Sequence, residues 1–464
     1  MKKLTIYILA AGLFATTSCE KFLDITPEGQ VKRDELLSTA SGVEDALYGV
    51  YAKLRSPYLY GEYLSYRILD LMAHYFSVNY NEYEVPPLQS FDYANTYTVE
   101  IFESIWTTMY NNISNVNSII NCDLLQKNSG YPYDIYMGEA LGLRAFMHFD
   151  LLRLYTDEIT RNPEADGIPY ATEFSLVTPD FKKAKEDYRL VINDLRRAEE
   201  LLQDDDEYEN TTNFMTERKI HFNKYAAQAT LARVYLALGE KDSAAYYAEK
   251  VIQNSGRTLV EKAETKNDLA GILSNKETIF GVYYAGFFTT VNSRLQQHTD
   301  RYSLDPRNGI KEMYSATDYR PDAYFSGGEG TSMRFIKLTD TYELNGISGS
   351  RPSNLILGIN LIRLPEMYYI AAEALAESDP ARAAELLLYV MSRRMDIPEL
   401  PDADKLVEAI DDERYKEFIG EGQTFYNMKR RNLPILDVDG TTYHRPSNAI
   451  FTVPIPDVEY ENRY

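Results

Sequence analysis

The sequence predicts a mainly α-helical fold: a tetratricopeptide-like helical-repeat scaffold with an irregular loop-rich lobe and a few short strands. Three observations support this prediction. Residues 139–155, EALGLRAFMHFDLLRLY, carry apolar side chains at helical spacing over an unusually wide arc. Residues 223–254 and a stretch 140 positions later share small residues typical of helical hairpins. Residues 258–352 lack helical periodicity and are rich in glycine and aromatic residues.

The segment 139–155 is expected to form the central helix of the core. A helix that is apolar on most sides is packed by neighbours on most sides. Its few Arg and Asp residues are therefore expected to pair with adjacent helices at its edges. His148 lies within this segment, and we interpret it as a core residue rather than a ligand or a catalytic group.

The repeat pattern predicts pairs of antiparallel helices. In residues 223–254, the small residue Ala232 stands where helices of a tetratricopeptide repeat cross closely, and Ala372 takes the equivalent position 140 residues later. The central helix and the amphipathic segment 181–202 are expected to form another such hairpin. These hairpins together predict a scaffold that runs through the chain.

Other segments complete the outline. Apolar residues at helical spacing predict further helices over residues 34–53, 62–73, 99–125 and 406–420. Short β-like runs occur at residues 278–284 and 334–338 within the predicted lobe. Residues 75–97 are aperiodic and rich in aromatics, which predicts a long loop, and the Pro-rich tail 434–464 is predicted to be extended.

The first residues resemble a targeting segment. Lys2 and Lys3 precede an apolar run that is too short to span a bilayer, and small residues lead to Cys19. This order is similar to a bacterial lipoprotein signal, although Thr16 stands where Leu is usual. We therefore predict a signal peptide at residues 1–18, a lipidated tether at 19–33 beginning with Cys19, and one folded domain at 34–464 with the lobe inserted at about 258–352. Simple cleavage without lipidation is the alternative.

Composition excludes several classes of function. The chain has 48 Lys and Arg against 70 Asp and Glu, a net charge of −22. Such an acidic surface repels phosphate backbones and anionic lipid headgroups, so binding to nucleic acid is not expected. The chain has two cysteines, too few for a disulfide framework or a cysteine metal site.

The sequence predicts a binding protein rather than an enzyme, with no catalytic residue, no metal site and no cofactor. The five histidines are widely separated, and no HExxH, Walker or G-x-S-x-G pattern occurs. Asp437-x-Asp439-Gly440 resembles the start of a calcium loop but lacks the later Glu, so a plain turn is favoured. The Asn series at positions 111–121 is interpreted as binding neighbouring backbone rather than a ligand.

Seven segments in order resemble the SusD/RagB family of surface lipoproteins from Bacteroidetes nutrient-uptake systems. They are CEKFLDITPEG, YNNISNVNSIIN, EALGLRAFMHFDLLRLY followed by Gly-Ile-Pro, NKYAAQATLARVYLALGEKDSAAYYAEKVI, LIRLPEMYYIAAEALAE, ERYKEFIGEGQTFYNMKRR and VPIPDVEYENRY. The resemblance covers nearly everything after residue 18.

The resemblance implies a lipid-anchored protein on the outer face of the outer membrane. It also implies a partner, a SusC-like TonB-dependent outer-membrane transporter, to which the protein delivers nutrients. Most members capture oligosaccharides and some serve peptide uptake. A peptide receptor of the same system therefore remains an alternative, as does a tetratricopeptide-like adaptor that binds only protein.

Two groups of loop residues are candidates for ligand binding, because sugar C–H faces stack on aromatic rings while hydroxyl groups bind polar side chains. The first group is Tyr75, Asn79, Tyr80, Asn81, Tyr83 and Asp92. The second group is Tyr319, Arg320 and Tyr324. Sugar-binding relatives often use Trp in such loops, whereas the one tryptophan here, Trp106, falls in a predicted helix. The alternative is that these tyrosines pack their own loops.

Overall fold

The chain is described by a computed structural model over residues 32–78, 83–175, 177–261, 273, 276–295, 304–307, 309–327, 333–339, 356–461 and 463. The predicted signal peptide and the tether up to residue 31, including Cys19, lie outside these residues. Their boundaries and that of the lobe stay predictions.

Helices dominate the described residues. They are α1 Arg33–Leu36, α2 Ala40–Leu54, α3 Ile68–Met72, α4 Val85–Gln89, α5 Thr96–Ile120, α6 Asp123–Lys127, α7 Tyr133–Tyr155, α8 Ala184–Leu201, α9 Lys224–Ala237, α10 Lys241–Asn254, α11 Phe287–Leu295, α12 Arg320–Tyr324, α13 Leu364–Leu375, α14 Pro380–Met391, α15 Leu406–Glu417, α16 Thr424–Arg431, α17 Asn448–Phe451 and α18 Asp457–Glu461. Short 3₁₀ turns occur at Asp205–Tyr208, Arg218–Ile220, Lys311–Met313 and Ala403–Lys405.

The strands among the described residues are short and form four antiparallel pairs. They are β1 Phe76–Val78, β2 Thr278–Tyr283, β3 Leu304–Pro306, β4 Phe325–Ser326, β5 Arg334–Phe335, β6 Gly358–Arg363, β7 Ile435–Leu436 and β8 Tyr443–His444. The pairs are β1 with β3, β2 with β6, β4 with β5, and β7 with β8. The β2–β6 pair is the longest, running from Thr278 opposite Arg363 to Tyr283 opposite Gly358.

Helix α7 is the centre of the core, as predicted. Its residues are buried almost without interruption on all sides. Its charged side chains pair with neighbouring elements. Arg144 forms a bidentate ion pair with Asp194 of α8 at 2.7 and 2.8 Å. Asp150 accepts a hydrogen bond from the hydroxyl of Tyr60 at 2.6 Å. The apolar arc therefore determines the packing, and the charges pair with the neighbouring elements.

The predicted helical hairpins are confirmed. Helices α7 and α8, α9 and α10, and α13 and α14 pack as consecutive pairs, and successive pairs pack on one another through α8 with α9 and α10 with α13. The crossing residues Ala232 and Ala372 are fully buried, which lets the helix backbones approach closely. The scaffold is thus a continuous series of helix pairs.

Two predictions about irregular segments were wrong in detail. Residues 75–97 contain strand β1 and the short helix α4 rather than an unbroken loop. The tail after residue 434 contains the β7–β8 hairpin and helices α17 and α18 rather than extended chain. The helices and strands of both segments are only two to five residues long. Elements this short show no repeating pattern of apolar residues in the sequence.

Candidate functional site

The first predicted tyrosine lies in the interior. Tyr75 is 1% exposed; its hydroxyl donates to the backbone carbonyl of Tyr415 and lies 2.7 Å from Oγ1 of Thr424. Burial raises the pKa of Tyr75 well above its usual value. Assigning Tyr75 to ligand binding was therefore wrong, because its enclosed ring and hydroxyl anchor the region of β1 to α15 and α16.

Another predicted tyrosine lies on the surface beside an aromatic partner. Tyr83 is 71% exposed and Tyr97 is 43% exposed. Their rings are stacked, with centroids 6.2 Å apart and planes inclined by 15°. We call Tyr83 and Tyr97 the tyrosine platform. Flat, solvent-exposed rings suit the C–H face of a sugar or a planar peptide group.

Local hydrogen bonds position the platform. The side chain of Asn95 caps α5 and accepts a hydrogen bond from the Tyr97 N–H at 3.0 Å, which fixes Tyr97 in the first turn. Asp92 is exposed nearby in sequence, and its carboxylate accepts from the Ala94 N–H at 3.3 Å. Sequence reasoning missed Tyr97 because a residue at a helix start shows no periodic signal of exposure. Its position directly after the capping residue Asn95 was the one available signal.

Three predicted residues between β1 and α4 are outside the described residues, namely Asn79, Tyr80 and Asn81. They precede Tyr83 in the chain by a few positions. Their assignment to ligand binding stays a prediction, as does that of Tyr83 and Asp92.

The second predicted group also contains both buried and partly exposed residues. Tyr319 is half-buried, and its hydroxyl donates to Asp396 at 2.7 Å. Arg320 and Tyr324 are fully buried. Arg320 pairs with Asp318 at 2.6 Å, so its guanidinium faces inward. Tyr319 stays a predicted contact residue.

Assigning Arg320 and Tyr324 to ligand binding was wrong, because both belong to an ion network that joins the lobe to the scaffold. Arg320 also pairs with Glu413 at 2.7 Å, and the ammonium group of Lys337 lies 4.5 Å from the ring centre of Tyr324. Carboxylates surround Arg320 and keep its pKa well above its usual value despite burial. These side chains stabilise the fold and are not available to a ligand.

A cavity of 240 Å³ opens between α15, α16 and the β7–β8 hairpin. Its wall combines apolar and aromatic side chains with a few acidic, amide and guanidinium groups, the mixture typical of ligand-binding pockets. The residues that line it include Arg307, Asp411, Asp412, Tyr415, Gln423, Asn427 and Tyr443. Sequence reasoning missed this cavity because its wall comes from segments that lie far apart in the chain.

The loop before α5 packs against the β7–β8 hairpin that borders the cavity. Phe91, next to Asp92, packs edge-on against His444 of the β7–β8 hairpin with ring centroids 5.3 Å apart. Tyr443, the neighbour of His444, lines the cavity and is 60% exposed. The hairpin therefore joins the loop before α5 to the cavity wall.

Three residues of the α5 Asn series bind backbone, as predicted. The side-chain amides of Asn112, Asn117 and Asn121 donate to the carbonyls of Val50, Ala171 and Thr172 at 3.2, 2.9 and 3.0 Å. The tryptophan is in α5, 2% exposed, as its sequence position indicated. It offers no ring to a ligand.

His148 is a core residue, as predicted. Its Nδ1–H donates to the carbonyl of Arg144 at 2.9 Å, and its Nε2 accepts from the Ala171 N–H at 3.0 Å. Both nitrogens of a neutral ring are thus satisfied. Burial lowers the pKa of His148 to about 3, so the ring is neutral at physiological pH.

The Asp437-x-Asp439-Gly440 segment forms the turn of the β7–β8 hairpin, as favoured. Asp439 accepts hydrogen bonds from the backbone N–H groups of Thr441 and Thr442 at 2.7 and 2.8 Å, and these bonds lower its pKa. Gly440 has φ +76°, a conformation that favours glycine. The carboxylate of Asp439 is therefore engaged by its own turn.

Within the part of the chain that the structure describes, helices are too short or too polar to cross a bilayer.

Two family models match the sequence. A model described as "Starch-binding associating with outer membrane" matches residues 21–236, and a SusD family model matches residues 284–462. Among curated proteins, SusD-like protein P38 of Formosa agariphila is 22% identical over 92% of this chain and 90% of its own length. SusD-like protein P2 of the same organism is 23% identical over 93% of this chain and 90% of its own length.

Solved structures share the fold. A SusD superfamily protein from Bacteroides thetaiotaomicron superposes with a TM-score of 0.74 at 23% identity, covering 91% of this chain and 98% of that one. A SusD-like carbohydrate binding protein from Bacteroides vulgatus superposes with a TM-score of 0.72 at 21% identity, covering 91% of this chain and 96% of that one.

Proposed function

Because this chain belongs to the SusD/RagB family, we propose that it is a surface-exposed nutrient-binding lipoprotein. It captures oligosaccharides at the outer membrane and delivers them to a partner TonB-dependent transporter of the SusC type. It binds and does not transform its ligand. The observation that supports capture most directly is the exposed tyrosine platform, Tyr83 stacked on Tyr97.

The platform is suited to a sugar for physical reasons. Two tyrosines that are already stacked lose little side-chain freedom when a ligand adds a third layer. Asp92, Asn79 and Asn81 are close in sequence and would supply hydrogen-bond partners for hydroxyl groups. The cavity beside the β7–β8 hairpin is a second surface that combines polar and aromatic groups.

The ligand class is tested by calorimetric titration of the soluble chain, residues 20–464, with a panel of polysaccharides and peptide mixtures. We expect saturable binding of one glycan class. Replacing Tyr83 or Tyr97 with Ala is expected to weaken that binding roughly tenfold, because each change removes one ring of the stack. The melting temperature is expected to stay unchanged, since both rings are exposed.

Tyr246 provides the matched control, because it is 58% exposed on α10 and lies outside the proposed site. Tyr246→Ala is expected to bind the glycan like the unmodified chain. Equal affinity of Tyr83→Ala and Tyr246→Ala would contradict the role of the platform.

A peptide receptor of the same type of uptake system is the second candidate. The burial of Trp106 favours it, since the sole tryptophan cannot form a sugar-stacking platform. In the same titration, saturable binding of a peptide fraction, without binding of any glycan, would support the peptide receptor and contradict the glycan proposal.

The lipid anchor is tested by substitution of Cys19. Cys19→Ala is expected to abolish acyl labelling and to release the protein from the membrane fraction, because no thiol would remain at the cleavage site to carry acyl chains. Cys122→Ala is the matched control: Cys122 is buried at the start of α6, so this variant is expected to stay acylated and membrane-bound. Membrane retention of Cys19→Ala without acyl label would contradict the anchor.

A further inference from the structure

Three potential metal ligands converge where the β7–β8 hairpin meets the turn after α3. Nδ1 of His74 lies 3.3 Å from Oδ1 of Asp437, and Nε2 of His444 lies 3.4 Å from Oδ2 of the same carboxylate. One ligand atom from each residue fits within 4.8 Å of the other two. The sequence predicted no metal site, because His74 and the hairpin residues are separated by most of the chain.

The hydrogen bonds of His74 leave a lone pair aimed at the carboxylate. Nε2 of His74 lies 3.0 Å from the backbone carbonyl of Gln89. A carbonyl only accepts, so Nε2 carries the proton and Nδ1 of the neutral ring is an acceptor. Apart from the Asp437 carboxylate, no described residue is a hydrogen-bond partner of Nδ1 of His74 or of Nε2 of His444.

A cation between the three side chains would satisfy this arrangement. The side chain of His74 is fully buried, and its Nδ1 faces an anionic oxygen without the geometry of a hydrogen bond. A protonated Nδ1 would donate to that oxygen directly. Two acceptors that face each other repel, and a metal ion that binds both removes the repulsion.

We propose that His74, Asp437 and His444 bind a divalent first-row transition metal ion of the zinc type. Two imidazoles and one carboxylate are ligands that Zn²⁺ prefers, whereas Ca²⁺ and Mg²⁺ favour oxygen ligands alone. Metal–ligand bonds of about 2.0–2.1 Å in a tetrahedron separate ligand atoms by about 3.3–3.4 Å. Each histidine nitrogen lies at this spacing from one oxygen of Asp437, a different oxygen for each ring, and one ligand atom from each residue lies within 4.8 Å of the other two.

The surroundings have the features of a built site. The ring of Phe91 stacks parallel on His74 at 5.5 Å and packs edge-on against His444 at 5.3 Å, so it holds both imidazoles in place. The Gln89 carbonyl orients His74 in the way that outer partners orient metal-bound histidines. The side chains of Asp437 and His444 are 28% and 27% exposed, so the cluster borders solvent on this side.

A metal ion here would cross-link distant parts of the chain. His74 precedes β1, and Asp437 and His444 belong to a hairpin of two-residue strands with little stability of its own. The ion would hold that hairpin, and with it Tyr443 of the cavity wall, against the body of the protein. This role is independent of which nutrient the protein binds.

The proposal is tested with the purified, untagged chain after its metals have been removed by chelation. Zn²⁺ is titrated in competition with a chromogenic chelator. We expect one Zn²⁺ per chain and a melting temperature that rises with Zn²⁺. His444→Ala and Asp437→Asn each remove a ligand at a partly exposed position, and we expect each to weaken Zn²⁺ binding at least ~10-fold and to abolish the thermal shift.

Two controls come from the same hairpin. Tyr443→Phe and Asp439→Asn alter neighbouring residues outside the proposed ligand set, and both are expected to bind Zn²⁺ like the unmodified chain. Melting curves in excess chelator check that all four variants fold. Absence of Zn²⁺ binding by the unmodified chain would overturn the proposal. So would full affinity in His444→Ala, or loss of binding in Asp439→Asn with retention in His444→Ala.

Discussion

Replacing Glu417 with Ala is expected to lower the free energy of unfolding by about 3–5 kcal/mol, because it leaves buried guanidinium groups without their shared partner. Glu417 ends α15 and is fully buried. Its carboxylate accepts from Arg394 at 2.9 and 3.1 Å and from Arg363 at 3.0 Å. Arg320 approaches it at 3.4 Å.

The network around Glu417 joins three regions of the chain. Arg363 comes from β6, Arg394 follows α14, and Arg320 begins α12 in the lobe. Glu277, directly before β2, binds Arg363 and Arg394, both at 2.8 Å. Removing one carboxylate from such a network loosens every element that it connects.

The protonation state of Glu417 fixes the pH range of this effect. Burial alone would raise its pKa, but the guanidinium groups of Arg394 and Arg363 hold the pKa well below its usual value. A carboxyl group with a lower pKa in the folded state stabilises the fold above its unfolded pKa, about 4.3, and loses that contribution as the pH falls further. The loss in the variant is therefore expected in full at pH 7.

Urea unfolding at pH 7 measures the change. Glu408 lies on the same helix but is exposed, and Glu408→Ala is expected to change the free energy of unfolding by less than about 0.5 kcal/mol. Glu417→Gln keeps the shape and one acceptor and is expected to fall between the two. A cost below about 1 kcal/mol for Glu417→Ala would mean that the guanidinium groups find other partners.

The helical scaffold was predictable because its signal is local. The apolar arc of α7 and the spacing of small residues such as Ala232 lie within single segments, so periodicity reveals them. The ion network was not predictable, because Glu277, Arg363 and Glu417 are far apart in the chain. Only the fold brings them together, and isolated charged residues in a sequence are more often exposed.

The candidate site was predictable only in part, because a tyrosine outside a periodic segment has no pattern that reports its burial. Tyr75 and Tyr324 are enclosed, whereas Tyr83 is exposed, although all three come from segments of similar composition. The hydroxyl of a tyrosine can anchor a loop to distant backbone as readily as it can contact a ligand. Partners such as Tyr97 and His444 become visible only once the elements are in place.

The second large effect is expected at Gly422, whose backbone N–H helps to enclose a buried carboxyl group. The backbone N–H groups of Gly420 and Gly422 donate to the two oxygens of Asp70 in α3. Burial raises the pKa of Asp70 to about 8, and these two bonds offset part of the cost of enclosing it. The two bonds thus fix the α15–α16 connection against α3.

Replacing Gly422 with Ala is expected to lower the free energy of unfolding by about 2–5 kcal/mol, from two separate causes. Its φ of +67° strains any L-residue with a side chain, by about 1–2 kcal/mol. A Cβ atom would also lie 2.3 Å from the carbonyl oxygen of Leu64, so backbone has to move, which adds about 1–3 kcal/mol.

Gly130 separates these two causes. It has a similar φ of +77°, but a Cβ atom there would meet nothing within 4 Å. Gly130→Ala therefore measures conformational strain alone in the same urea experiment, and the additional cost in Gly422→Ala measures the crowding against Leu64. Equal costs for the two variants would mean that the segment around Leu64 moves aside freely, and the α15–α16 connection would then not be rigid enough to hold Asp70 in place.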